Sequence, residues 1–225
     1  MKHKLVTILI FISTIFSETL EYDLEFSGIP AGESILSLKK GIMGENNIYN
    51  LTSTTTTNKV FSKILKFTEN ITIALDTFDF SIKKIQKRTY QGKKRKSFQA
   101  IVTYDAAKDT SMALSKNKKI KIAGKVYNPF AIIYYLRNQS IELSDAFNFT
   151  TYDNDKKREL TIIATRIEKV TVPHGEYTCI VIEPEGKLSK GSIRIWLDKT
   201  TKIPIQLEIK NKVGTLKMSL KNIAP

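Results

Sequence analysis

Apolar and polar residues alternate along most of this chain, in short runs separated by polar or glycine-containing breaks. Tyr22, Leu24 and Phe26 share one face of a first run. Tyr49, Leu51, Ser53 and Thr55 do the same in a threonine-rich one, and Phe67, Glu69, Ile71, Ile73 and Leu75 in a third. Phe98, Ala100, Val102 and Tyr104 form another such face, and residues 146–152, 160–172, 177–183, 192–197, 203–209 and 216–220 continue the pattern. A period of two is the signature of strands with one face turned to a core. The breaks are mostly of hairpin length, so consecutive strands are expected to pair as antiparallel neighbours. The pattern predicts an all-β, mainly antiparallel domain: a curled sheet or β-barrel of about eleven strands. Residues 28–32, Gly-Ile-Pro-Ala-Gly, are expected to be a turn.

Two stretches break the alternation. Asn128 and Pro129 begin the stronger, with a capping side chain followed by a proline that loses only an amide without a helical partner. Residues 130–136 are apolar on nearly every face, and Arg137 places a cation at the end where the helix dipole favours one. This predicts a short central helix enclosed by the sheet. At residues 58–66, Val60, Phe61, Ile64 and Leu65 share a helical face, which predicts a second short helix. Its basic side would carry Lys59, Lys63 and Lys66.

The start of the chain changes the setting. Lys2 and Lys4 precede an apolar run over residues 5–16, and Ser17 suits a cleavage point. This is the order of a secretory signal, and the run is too short for a comfortable membrane span. Residues 1–17 are therefore expected to be removed, leaving residues 18–225 as one barrel-like domain in the periplasm or cell envelope, without a transmembrane segment. Cys179 is the only cysteine, so no disulfide can form within the chain, and its apolar neighbours predict a buried thiol. The formal charge of +14 falls to +12 without Lys2 and Lys4. Such an excess favours anionic partners such as lipid head groups or acidic polymers, while export argues against nucleic acid.

Four stretches bring a family into view: residues 22–38, the Pro129 to Arg137 segment, residues 172–177 (Val-Pro-His-Gly-Glu-Tyr), and Ile195-Trp196-Leu197-Asp198 followed by Ile203-Pro204-Ile205. In this order the chain resembles the exported bacterial proteins grouped as domain of unknown function 3108. It departs from them at Asn128, where an acidic residue is associated with the family; capping survives the change. The resemblance implies a periplasmic, β-rich domain with no established activity.

No pattern of catalysis stands out. His174 is the only histidine after the leader and sits in a Pro-His-Gly turn, so a nucleophile–histidine pair lacks its base. Clustered zinc ligands, a calcium loop and phosphate-binding glycine patterns are missing, and no cofactor or metal is expected. The expectation is a binding protein rather than an enzyme, holding a lipid-like or acidic envelope component. The competing expectation is an interaction module for another envelope protein. The candidate ligand-binding residues are Phe130, Tyr134, Tyr135, Arg137 and Trp196, as lining of a curled sheet, and the basic tip Lys93, Lys94, Arg95 and Lys96. For Arg137 a structural ion pair within the sheet is the favoured role.

Overall fold

In the computed structural model, residues 17–186, 193–210 and 214–224 are described, so the expected leader lies outside them except for Ser17. The alternating runs become β1 (Ser17–Phe26), β2 (Ile29–Met43), β3 (Asn46–Thr57), β4 (Phe67–Leu75), β5 (Ile82–Gln91) and β6 (Lys94–Asp105). Three short strands follow, β7 (Thr110–Ser115), β8 (Lys119–Ala123) and β9 (Val126–Tyr127), and then helix α1 (Pro129–Arg137). The remainder comprises β10 (Ala146–Asp153), β11 (Lys156–Val172) and β12 (Gly175–Pro184), then β13 (Ile193–Asp198), β14 (Pro204–Lys210) and β15 (Thr215–Ala224).

All fifteen strands belong to one sheet, in the order β8-β7-β6-β5-β4-β3-β2-β1-β15-β14-β13-β12-β11-β10-β9. Every pairing is antiparallel except that of β9 with β10. The first and last strands meet in the middle of the sheet, β1 against β15. The free edges, β8 and β9, are adjacent in sequence, so the sheet curls into a nearly closed barrel around α1. Register shifts in β1, β4, β11 and β13 mark bulges, each of which adds local twist and helps a long sheet to curl. Gly32 is needed for close approach: a Cβ there would stand 2.0 Å from the Thr56 carbonyl oxygen on the neighbouring strand.

Helix α1 forms as its sequence dictates. The Asn128 side chain accepts a hydrogen bond from the Phe130 amide at 3.0 Å, and Pro129 occupies the first turn. Phe130, Ala131, Ile132, Ile133, Tyr134 and Leu136 are all buried, the burial expected of a helix apolar all round. It packs against β13 inside the curl.

Three expectations are corrected. Among the described residues there are fifteen strands rather than about eleven, because β7, β8 and β9 are too short to show a convincing alternation; neighbouring strands supply their pairing. The second helix is a single 3-10 turn at Phe61–Lys63, and only Phe61 on its expected apolar face is buried. Residues 29–32 belong to β2, leaving Ser27 and Gly28, both with positive φ, as the turn. Residues 1–16, 187–192 and 211–213 lie outside the described residues.

Candidate functional site

The direction of the strands gives the barrel two distinct ends. The turns β1–β2, β3–β4, β5–β6, β7–β8 and β10–β11 gather at one end, with the N-terminus of α1 pointing toward it. The C-terminus of α1 points to the other, where the opposite set of turns lies.

At the first end the interior is open. A cavity of about 490 Å³ runs down to Asn128, Pro129 and Phe130 at the start of the helix. Its walls are Phe67 and Ile71 on β4, Ile193 on β13, Ile209 on β14, and Leu216 and Met218 on β15. These are positions on four different strands, which is why no single stretch of sequence announces the site. Polar groups converge on one side. The Lys87 ammonium sits 3.2 Å from a Glu69 carboxylate oxygen and 3.2 Å from one of Asp153, linking β5 to β10 across the lumen. Burial pulls the Lys87 pKa down, but the Glu69 and Asp153 carboxylates outweigh it, so the amine is held charged above its ordinary range. The Thr89 hydroxyl donates to Glu69 at 3.0 Å and the Asn154 amide to Asp153 at 2.7 Å. The second Asp153 oxygen is buried without a hydrogen-bond partner. Arg158, Lys156 and Lys210 complete the lining near the mouth.

The mouth is basic. Lys93, Lys94, Arg95 and Lys96 are exposed beside it, with Gly92 bonded through its amide to the Lys66 carbonyl at 2.9 Å. The Arg95 guanidinium lies 5.8 Å from the centre of the Tyr90 ring. Lys59, Lys63 and Lys66 stand on the adjacent turn.

The opposite end is plugged. Tyr49 stacks on Phe80 (5.4 Å between ring centres), and Phe80 lies 6.4 Å from Tyr134. Both Arg137 guanidinium nitrogens engage the two Glu18 carboxylate oxygens, the second at 2.9 Å. This is the interior ion pair expected of Arg137, and its partner stands 119 residues away. The Arg137 guanidinium also covers the Tyr134 ring at 5.2 Å. Burial raises the Tyr134 pKa, and its hydroxyl carries no well-formed hydrogen bond although the Glu18 carboxylate is close by. Tyr22, its pKa likewise raised by burial, donates to the Pro204 carbonyl at 2.8 Å.

The residues singled out from sequence are therefore divided. Phe130 lines the open lumen; of the expected basic tip only Lys93 lies in the two-residue turn Gly92–Lys93, while Lys94, Arg95 and Lys96 are the first paired residues of β6 at the same end. Tyr134 and Arg137 belong to the plug, one helix length away. Tyr135 packs edge-on against Phe149 (5.3 Å) and Tyr127 (5.9 Å). Trp196 is separate from both ends. Ile193 and Ile195 alternate onto the lumen face, which turns Trp196 outward opposite Val181 and Gln206. There its indole N–H donates to Glu168, and Arg194 lies 5.7 Å from its ring. A chain of ion pairs surrounds it: Arg166 with Glu168 at 2.9 Å and Glu183 at 2.7 Å, and Arg194 with Glu183 at 2.6 Å and Glu208 at 2.9 Å. Sequence reasoning did not bring Lys87, Glu69 and Asp153 together as one group. A lysine at an inward-alternating strand position was the available signal.

Cys179 is buried, and desolvation pushes its thiol up to about 12, so it is inert toward ordinary electrophiles. His174 bonds through Nδ1 to the Tyr177 hydroxyl on the surface. Among the described residues no group of three or more His, Cys, Asp or Glu side chains is arranged to hold a metal ion.

Fold and site together define a barrel-like β-protein with a plugged end and an open, basic-rimmed one. Residues 21–221 match the family described as Protein of unknown function (DUF3108), and the chain belongs to that family. No curated protein matches it. Among solved structures, the chain is similar to the beta-barrel-like protein of domain of unknown function DUF1849 from Brucella abortus. The TM-score is 0.59 at 11% identity, covering 93% of this chain and 97% of that one. That likeness concerns the fold. A DUF1329 family protein from Desulfovibrio piger aligns with a TM-score of 0.23 at 9% identity, over 94% of this chain and 86% of that one.

Proposed function

We propose that this protein is an exported, periplasmic or envelope binding protein whose open lumen holds an amphipathic anionic molecule, lipid-like or lipopolysaccharide-like, without transforming it. The observation that carries this is the cavity of about 490 Å³, whose apolar walls lead to a mouth lined by Lys156, Arg158 and Lys210. That volume falls in the usual range for small-molecule sites, about 300–1,000 Å³. An acyl chain against Phe67, Ile71, Leu216 and Met218 would leave its acidic head among the rim cations. Export rests on the basic and apolar leader at residues 2–16.

Native mass spectrometry of protein purified from its own envelope tests this reading. A bound amphiphile is expected that organic extraction removes, and that Ile71→Trp, which fills the lumen, excludes. Protein that is always ligand-free, and that takes up no fluorescent fatty-acid analogue after extraction, would sink the proposal. A second reading, an interaction module for another envelope protein, draws on the free edges of β8 and β9 and on exposed Ile101 and Leu114 beside a groove on the outer face.

A further inference from the structure

The β3–β4 turn carries an arrangement that the lumen does not explain. Val60 and Ile64 are 75% and 77% exposed, the two highest values for aliphatic side chains in the barrel. They flank the single 3-10 turn Phe61–Lys63, one at either end, with Lys59, Lys63 and Lys66 among them. None of the three lysines is drawn into an ion pair among the described residues.

The turn is held firmly in this pose. Phe61 is buried against Phe26 (5.8 Å between ring centres), and the Asn58 side chain accepts from the Phe61 amide at 2.8 Å while donating to the Pro30 carbonyl at 3.2 Å. The Thr57 hydroxyl meets the Ser62 hydroxyl at 3.0 Å and accepts from the Phe67 amide at 3.0 Å. Two aliphatic side chains are thus fixed in water by a structured turn with nothing to cover them, between cations and next to the cavity mouth. The adjacent β1–β2 turn adds Ile29, 52% exposed.

We infer that this end of the barrel docks on an anionic lipid bilayer, with Val60 and Ile64 inserted at the head-group level and the lysines on the phosphates, so that the lumen opens onto the membrane surface. Charge decides which end docks. The plugged end also exposes apolar residues, Ile42, Phe78 and Leu143. Ile42 stands beside Glu45, Phe78 between Asp76 and Asp79, whose charges Lys83 and Lys125 offset, and Leu143 between Glu142 and Asp145. None of them sits, as Val60 and Ile64 do, among lysines unpaired within the described residues. Carboxylates repel an anionic surface, whereas basic residues with apolar neighbours suit one. The docking goes beyond the ligand-holding role and stands without it.

Vesicle co-sedimentation tests the inference, using phosphatidylcholine alone and phosphatidylcholine mixed with phosphatidylglycerol. The protein is expected to bind the mixed vesicles and to be released partly by salt. V60S/I64S should weaken that binding about 100-fold, from the apolar area no longer inserted. Replacing Lys59, Lys63 and Lys66 by Gln should cost about fivefold per lysine on the mixed vesicles and little on phosphatidylcholine. Phe78→Ser should change nothing. All these side chains are exposed, so unchanged urea midpoints will verify folding. Ile71→Trp should bind vesicles normally while excluding lumen ligand, which separates this inference from the ligand-holding one. The docking is overturned by absence of vesicle binding, by V60S/I64S binding like wild type, or by Phe78→Ser losing as much as V60S/I64S.

Discussion

The plug end offers the sharpest test of how the fold is held. Arg137 and Glu18 have side chains only 7% and 14% exposed, so both charges are largely out of water. Replacing Arg137 by Ala leaves the Glu18 carboxylate buried with no cation, an arrangement that costs about 3–5 kcal/mol. Against a typical domain stability of about 5–15 kcal/mol, that is a large fraction. The exposed Lys221–Asp23 pair, each side chain 45% accessible, is screened by water and should contribute little, and Lys221→Ala serves as the control. Replacing both partners, as E18L/R137M, removes charge and counter-charge together and should restore most of the loss. The assay is urea unfolding followed by the Trp196 fluorescence and by far-UV circular dichroism, with coincident transitions and an unchanged slope. A loss below about 1 kcal/mol in Arg137→Ala would refute the assignment of a desolvated pair. A double variant as unstable as Arg137→Ala would show that packing over Tyr134, not charge, is what the arginine supplies.

Gly32→Ala should destabilise by about 1–3 kcal/mol or more, because the new methyl meets a backbone carbonyl that cannot swing aside; a wild-type urea midpoint would contradict the close approach. Cys179 should resist a thiol reagent in the native protein and react stoichiometrically once unfolded, and rapid native labelling would mean the strand opens or the site is not buried. Burial works to raise the Glu183 pKa, but the Thr165 hydroxyl and the Arg194 and Arg166 guanidiniums outweigh it, so the folded value is lowered. Its contribution to stability is therefore full above the unfolded carboxylate value and fades as pH falls through the lower folded one. Urea midpoints measured across that acidic window should fall less steeply for Glu183→Gln than for wild type, and identical slopes would count against the assignment.

What the sequence determined by itself is local in origin. Period-two alternation requires a strand, since any other conformation would spread the apolar residues around the segment, and the long strands from β1 to β6 contain the runs it marked, β2 and β6 starting earlier, at Ile29 and Lys94. Asn128 and Pro129 start the helix through their own side chains, and an all-round apolar surface leaves that helix nowhere to go but inside. Burial of Cys179 followed from its neighbours in the same way.

Tertiary structure decided whatever depends on parity or partners. Which parity of β13 faces the lumen is set by its pairing with β12 and β14, so Trp196, apolar like its neighbours, lies on the outer face beside Glu168. Glu18 and Arg137, and likewise Lys87 and Asp153, are brought together by strand order and by curling, which no single segment encodes. At residues 60–64 the helical period was visible, but whether Val60 and Ile64 found cover depended on what the rest of the sheet placed above them. It placed nothing there, because a turn at the rim of a barrel has neighbours only at its sides and below.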